Sequence, residues 1–307
     1  MKRVFLLVNA LLALVVIVGG SMLWLRHNQA VAQVDQAWAN TTVQPLGDIG
    51  STRSLTILPL IERNTEPGLS GEPGVSYLVT TDSATILFDV GYNADGSAPL
   101  RRNMDALDVG LESVDALVIS HLHLDHVGGW QPMIQHTFNL GGEPVDLADM
   151  PIYTPVDMTY PGSTPTTASQ PTVIAPGVAT SGSIAFPELF PIVLFGDPNY
   201  EQSLLIQVEG YGIVAISGCG HPTLQKILTR ADALFEQPVV GIVGGLHYPN
   251  SDGKDIQPNI AYLEGYNPQI VGLSPHDSSP AAIQAFRNAF PDVYRDVAVG
   301  QAITFGA

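Results

Sequence analysis

Apolar positions along the chain fall into three regimes. From Val4 to Leu25 they are nearly continuous, a run of 22 residues broken only by Asn9, Gly19, Gly20 and Ser21. A helix needs about 20 residues to cross a hydrocarbon core, and a signal-peptide core takes roughly 7 to 15, so the run predicts a membrane-spanning helix. From Leu55 onward the apolar runs shorten to strand length. Leu55, Ile57 and Leu58 open one, and Val75 to Thr80 with Thr85 to Phe88 read as a hairpin around Thr81, Asp82 and Ser83. Leu117 to Ser120 is a short apolar strand, and Leu204 to Val208 with Ile213 to Ser217 repeat the hairpin around Gly210, Tyr211 and Gly212. Val239 to Val243 reads as a buried strand and Ala302 to Phe305 as a closing one. Helical spacing appears at Pro99 to Leu107, in Leu224, Ile227, Leu228, Ala231 and Leu234 after Pro222, and in Ile283, Ala285 and Phe286 after Ser279 and Pro280. The third regime, Gln131 to Pro191, holds ten of the 24 prolines and predicts little regular structure. Tyr153, Met158, Tyr160, Ile184, Phe186, Leu189 and Phe190 supply enough apolar contact for an ordered loop, expected to overlie the site and shape substrate access.

The strands end in chemistry. Ser120 to Trp130 packs His121, His123, Asp125 and His126 into six positions directly after an apolar run. Side chains alternate along an extended segment, so His121 and His123 point the same way and can reach one ion. Asp125 and His126 follow where the chain turns, aimed at a second point close by. Imidazole and carboxylate suit zinc first, with iron or manganese as alternatives, and two divalent ions are the natural reading. Gly128 and Gly129 let backbone pack closely beneath such a cluster. Of the eight histidines, His136 has no companion at metal spacing and reads as structural or surface.

His-x-His-x-Asp-His resembles the signature of the metallo-β-lactamase superfamily, and the resemblance extends over roughly Leu55 to Phe305. It implies a four-layer αββα sandwich and metal-dependent hydrolysis. It also implies that Asp89, in Asp89-Val90-Gly91, supports the metal site from behind. The superfamily places a bridging Asp at the end of the second hairpin, where this chain has Cys219, a softer donor that would alter metal preference and redox sensitivity. Gly218-Cys219-Gly220-His221, Gly244-Gly245-Leu246-His247 and Leu273-Ser274-Pro275-His276 together resemble the branch of dihydropterin aminobenzene phosphate synthase-like proteins. On that resemblance His121, His123 and His221 would hold one ion, and Asp125, His126 and His276 the other. Asp125 would also orient the attacking hydroxide. His247 would touch substrate or protonate a leaving group, or else serve as a hydrogen-bonded structural residue. Cys219 is left to ligate, bridge or pack. The superfamily His before the second hairpin is missing; Asp197-Pro198-Asn199-Tyr200-Glu201-Gln202 stands there, with Glu201 either ligating or orienting.

Charge narrows the function. The chain carries 12 basic and 29 acidic residues, and Lys2, Arg3 and Arg26 precede the first acid. The remainder is 9 minus 29, or −20, which argues against nucleic acid as substrate, because phosphate neutralisation needs clustered Lys and Arg. With one cysteine, no intrachain disulfide forms. The expected organisation is a membrane anchor or signal over 1–30, a spacer over 31–52 and the metallo-β-lactamase-like domain over 53–307, with its Pro-rich covering insertion at about 131–191. Lys2 and Arg3 favour a cytoplasmic N-terminus and an extracytoplasmic domain; cleavage after Ala30-Val31-Ala32 is the alternative and leads to the same side. The expected activity is cleavage of a small ester, a phosphoester before a lactone or thioester. A pterin-type transferase and a non-catalytic metal-binding module are the alternatives.

Overall fold

The computed structural model describes residues 2–187 and 199–306; Leu189, Phe190, Asp197 and Pro198 lie outside them. Two compact units are formed, Met1–Thr42 with Ala185–Asn199, and Val43–Ile184 with Tyr200–Ala307. In the first, helix α1 (Lys2–Asn40) is longer than the apolar run and takes in the start of the expected spacer. Its stretch Leu7–Asn40 is long and apolar enough to cross a membrane, an 18-residue window within it having a mean hydropathy of 2.2. Phe5, Leu11, Val16 and Trp24 stay exposed on it, as suits a helix apolar all round.

The second unit is built on two mixed sheets with the same plan. In the first sheet β1 (Ser54–Ile61) pairs antiparallel with β2 (Ser76–Thr80), and β2 with β3 (Thr85–Phe88). From β3 the order continues in parallel through β4 (Ala116–Val118), β5 (Ile152–Thr154) and β6 (Thr166–Thr167). The second sheet begins with β7 (Thr172–Ala175) and β8 (Val178–Thr180). Short strands β9 (Ile184–Phe186) and β10 (Asn199–Glu201) follow in the chain. Then β8, β11 (Leu204–Val208) and β12 (Gly212–Ser217) run antiparallel, and β13 (Val239–Gly244) and β14 (Ile270–Leu273) continue in parallel. β15 (Ile303–Gly306) closes the first sheet against β1. The expected duplication is visible in this plan, an antiparallel hairpin passing into a parallel run in each sheet.

Three apolar layers give the αββα order. Leu55, Ile57, Tyr77, Phe88, Leu204, Ile206, Val214 and Ile216 fill the space between the sheets. Helix α2 (Pro99–Ala106) sends Leu100 and Met104 onto the outer face of the first sheet. Three more helices follow the short α3 (Trp130–Ile134): α4 (Leu224–Leu234), α5 (Gln257–Glu264) and α6 (Pro280–Ala289), which cover the second sheet. Thr223 caps α4 by accepting from the Lys226 amide, and Ser279 caps α6 by accepting from Ala282. The pattern missed α5, whose sequence carries only Ile260 and Leu263 as buried residues and so lacks a legible stripe.

The proline-rich stretch departs from expectation. Its described part contributes β5 and β6 to one sheet and β7 and β8 to the other, because Pro151, Pro155, Pro171 and Pro176 flank the strands instead of interrupting their ladders. Phe138, Ile152, Met158 and Tyr160 pack beneath the first sheet with Leu117 and Ile119, so these residues belong to an outer apolar layer.

Candidate metal centre

Residues that carry the chemistry sit just beyond the carboxyl ends of β1, β3, β4, β12, β13 and β14, where strand geometry holds each loop's first residues. The ligand atoms of His121, His123 and His221 lie within 4.8 Å of one another, as do those of Asp125, His126, Cys219 and His276. A third group, Cys219, His221 and His247, joins the two. His221 Nε2 stands 3.1 Å from His123 Nδ1, and Cys219 Sγ lies 3.1 Å from His126 Nε2 and 3.2 Å from His276 Nε2. Residues up to 155 positions apart thus bring six imidazoles, a thiol and a carboxylate to one point. His136 stays apart at the surface, with Nδ1 3.3 Å from the Asp157 carbonyl.

Behind the ligands stands a buried polar network. Asp89 takes a left-handed backbone (φ 62°) that turns its carboxylate beneath the cluster, a conformation to which Asp is better suited than most residues. Its Oδ1 accepts from the Ser120 amide at 2.6 Å, and its Oδ2 accepts from Ser120 Oγ at 2.6 Å and from His126 Nδ1 at 2.7 Å. Having donated to Asp89, Ser120 Oγ can accept from His121 Nδ1, 2.8 Å away. Both rings then carry their proton on Nδ1 and turn Nε2 toward the cluster, the arrangement a ligating His needs. Gly218 makes room for this: a Cβ there would stand 2.2 Å from Ser120 Oγ. Gly128 likewise sits too close to the Asn139 carbonyl for any side chain, at 2.0 Å and with φ +85°.

Glu201 accepts from three backbone amides. One carboxylate oxygen accepts from the Cys219 and Gly220 amides at 3.1 and 2.8 Å, and the other from the His221 amide at 2.9 Å. The carboxylate fixes the loop that carries Cys219 and His221 and belongs to none of the three ligand groups. Asp277 does the same for the next loop, its Oδ2 accepting from the His247 amide at 2.9 Å. His247 is held there at φ 55°, with Nδ1 buried and without a hydrogen-bond partner among the described residues. Its ring centroid lies 4.3 Å from that of His221.

Sequence reasoning missed Glu62, Ser274, Asp277 and Arg63. Glu62 follows β1, fully buried, and accepts from Tyr77 Oη at 2.6 Å and from Ser274 Oγ. Ser274 Oγ stands 2.5 Å from His276 Nδ1. Arg63 donates from its guanidinium to the His276 carbonyl at 3.2 Å and forms no ion pair among the described residues. The available signal was a charged residue directly after a strand-length apolar run, the same signal that marks Asp89.

Electrostatics prepare the donors. Burial, then the neighbouring imidazoles, holds His121 and His221 well below the ordinary histidine range, and burial with His126 brings His276 down to about 3. These rings are neutral near pH 7 and present lone pairs. Burial opposes charge on His126 too, but Asp89 and Asp125 outweigh it and raise the ring to about 9. Burial also works against the Asp125 carboxylate, yet His126, His276 and His123 keep it below its usual range. Burial, reinforced by Asp125, Asp277, Glu201 and Asp89, pushes the Cys219 thiol up, and burial raises Glu62 to about 7. Gathered carboxylates, a buried sulfur and neutral imidazoles fit a divalent cation, which would compensate the negative charge and take the lone pairs.

Comparison with known proteins bears on the family and the fold. The family profile described as the Metallo-beta-lactamase superfamily matches residues 69–249. The 7,8-dihydropterin-6-methyl-4-(beta-D-ribofuranosyl)-aminobenzene-5'-phosphate synthase of Methanocaldococcus jannaschii is 24% identical over 268 residues, covering 76% of this chain and 90% of the synthase. An anti-Pycsar protein of Bacillus phage BSP38 is 36% identical over 69 residues, 22% of this chain and 27% of its own. A crystal structure of a metal-dependent hydrolase of the beta-lactamase superfamily shares the fold with a TM-score of 0.61 at 20% identity, over 82% of this chain and 100% of that one. A metallo-beta-lactamase fold protein from Bacillus subtilis does so with 0.52 at 16%, over 82% and 100%.

Proposed function

The chain belongs to the metallo-β-lactamase superfamily, and from that premise we propose that it is a metal-dependent hydrolase of small phosphoesters with a two-ion centre. The observation that carries this reading is the convergence of two complete ligand groups on one point, His121, His123 and His221 beside Asp125, His126, Cys219 and His276. Zinc suits these donors best, with iron or manganese next. Bound divalent ions supply Lewis acidity toward the scissile bond and make water a better nucleophile near neutral pH.

The chain's own residues do the rest. Asp125, with a side chain 27% exposed and a lowered pKa, is a weak base that orients an attacking water by hydrogen bonding. His247 is kept toward the neutral form by burial and then His123, so its ring hydrogen-bonds substrate in preference to acting as a cationic acid. Arg63, against the His276 backbone, offers the positive charge that a phosphoester needs and a neutral lactone does not. Arg63→Ala is expected to lower kcat/KM for a phosphodiester by roughly ten- to a hundredfold, the worth of one charge-assisted hydrogen bond, while leaving a lactone within about threefold. Parallel steady-state kinetics on both substrates checks this.

Metal content and turnover across phosphodiesters, lactones, thioesters and β-lactams tests the reading; a protein loaded with metal and inert to all of them would sink it. The extent of the likeness to the methanogen synthase favours a second reading, joining of a pterin to an aryl phosphate acceptor, which the same protein incubated with both partners would reveal. In either case uptake of an ion by Asp125, His126, Cys219 and His276 has to expel both the His126 proton and the Cys219 thiol proton. Affinity is therefore expected to rise about a hundredfold per pH unit toward pH 9 and about tenfold per unit above it, as read by competitive Zn2+ titration. We place the domain outside the cytoplasm behind α1, because Lys2 and Arg3 precede the apolar stretch. Intact chain in the membrane fraction, with the domain open to protease from outside, is the expected result. A mature chain beginning at Gln33 would show cleavage instead.

A further inference from the structure

We propose that Glu62 and Ser274 are positioning residues for His276, and that they set the affinity of the Asp125, His126, Cys219 and His276 group for its divalent cation. The inference rests on the two-ion reading above. Ser274 Oγ has one proton and lies between two partners, the Glu62 carboxylate and His276 Nδ1, the latter 2.5 Å away. In its ionised form, which prevails above about pH 7, Glu62 cannot donate, so the hydroxyl proton goes to Glu62 and the Ser274 lone pair is left for the ring. That fixes the His276 proton on Nδ1 and turns Nε2 toward Cys219 Sγ, 3.2 Å away, on the side where Asp125 and His126 are gathered.

The arrangement repeats what Asp89 and Ser120 do for His121, with the same order of carboxylate, serine and imidazole. One serine follows β4 of the first sheet and the other follows β14 of the second. The two relays differ in reach, since Asp89 also holds His126 directly, whereas Glu62 acts on the ligands through Ser274. Glu62 is oriented in turn by the Tyr77 hydroxyl and, at 3.1 Å, by the Arg63 amide. No side-chain cation pairs with it among the described residues; the neighbouring Arg63 guanidinium goes to the His276 carbonyl. Burying a carboxylate without a counter-ion is costly, and a role that apolar packing could fill would not call for one.

The test is stepwise titration of the metal-depleted full chain with Co2+ and Zn2+, following d–d absorption and heat. For Ser274→Ala, one of the two binding steps is expected to weaken by about 10- to 100-fold, the usual effect of losing an outer partner of a ligating His. The step held by His121, His123 and His221 stays within about twofold. Glu62→Gln, which keeps the shape but can place an amide donor against the hydroxyl, weakens the same step, and Ser274→Thr restores it. Thermal unfolding of each metal-depleted variant establishes that it is folded. Wild-type titrations for both Ser274→Ala and Glu62→Gln would overturn the proposal, as would equal weakening of both steps together with lost cooperative unfolding. A wild-type chain that takes up fewer than two ions would overturn the two-ion reading beneath it, and is recognised before any variant is made.

Discussion

His123→Ala is expected to remove one bound ion and to lower turnover by more than the roughly 10- to 100-fold that follows loss of a ligand's outer partner. His123 is partly exposed at the cluster's edge, its ring centroid 4.6 Å from His121 and 4.8 Å from His221. The described hydrogen bonds that hold the loops run from Asp89 to Ser120 and His126 and from Glu201 to the amides of Cys219, Gly220 and His221, and they survive the loss of His123. The fold should therefore be kept, with a change in unfolding midpoint no larger than other partly exposed substitutions give, about 0.5 kcal/mol. Elemental analysis, turnover and a melting curve on the same preparation separate the outcomes. Full activity with a full metal complement would mean that the imidazole cluster is not the reacting centre. Lost activity with an unfolded chain would mean that His123 is structural.

The cluster also explains why an unpaired cysteine sits in a domain that we place outside the cytoplasm. Cys219 Sγ is within about hydrogen-bonding reach of His126 and His276 and belongs to two of the three ligand groups, at the place where the superfamily pattern has a carboxylate. Four carboxylates and burial hold it as a thiol, so it gives up its proton only to a cation. Under the reading proposed above, a soft donor there would favour zinc over harder ions.

What could be read from the sequence follows from spacing. His121, His123, Asp125 and His126 are legible because four donors share six positions, and the strand ends at Ser217 and Leu273 announce themselves by apolar runs stopping at Gly218-Cys219-Gly220-His221 and Ser274-Pro275-His276. Glu62 stands in no motif, and Ser274, although it lies in the Leu273-to-His276 stretch, gives no sign there of its partner, because the hydrogen bond that joins the two spans 212 residues. Arg63 is hidden for the same reason, its partner His276 lying 213 residues away. The proline-rich stretch misled in the opposite direction: counting prolines says where ladders are interrupted, but Pro171 and Pro176 bracket β7 and Pro151 and Pro155 bracket β5, which leaves both ladders whole. Glu201 needed its three amide donors to be seen before its hold on the loop of Cys219 and His221 was apparent.

Asp89→Asn is expected to be the most damaging near-isosteric change in the chain. Asn tolerates the left-handed backbone at this position, so the effect is chemical. Its carbonyl can still accept from the Ser120 amide, but an NH2 then faces both Ser120 Oγ and His126 Nδ1, where the carboxylate accepted from each. Ser120 can rotate. His126 has to move its proton to Nε2, the atom 3.1 Å from Cys219 Sγ, and so loses the lone pair that faces an ion. One ion and nearly all turnover should go with it. Stability gives a second reading in the metal-depleted protein. The folded His126 titrates at about 9 against an ordinary 6.5, so its stabilisation is complete below about pH 6.5 and disappears as pH rises through about 9. That difference of pKa corresponds to a stabilisation on the order of 3 kcal/mol. In Asp89→Asn the charge partner is gone, so the deficit relative to wild type should be largest near pH 6 and shrink toward pH 10. Urea unfolding of both proteins across that range measures it, and a deficit that does not change with pH would show that His126 is neutral in the fold and that Asp89 acts by hydrogen bonding alone.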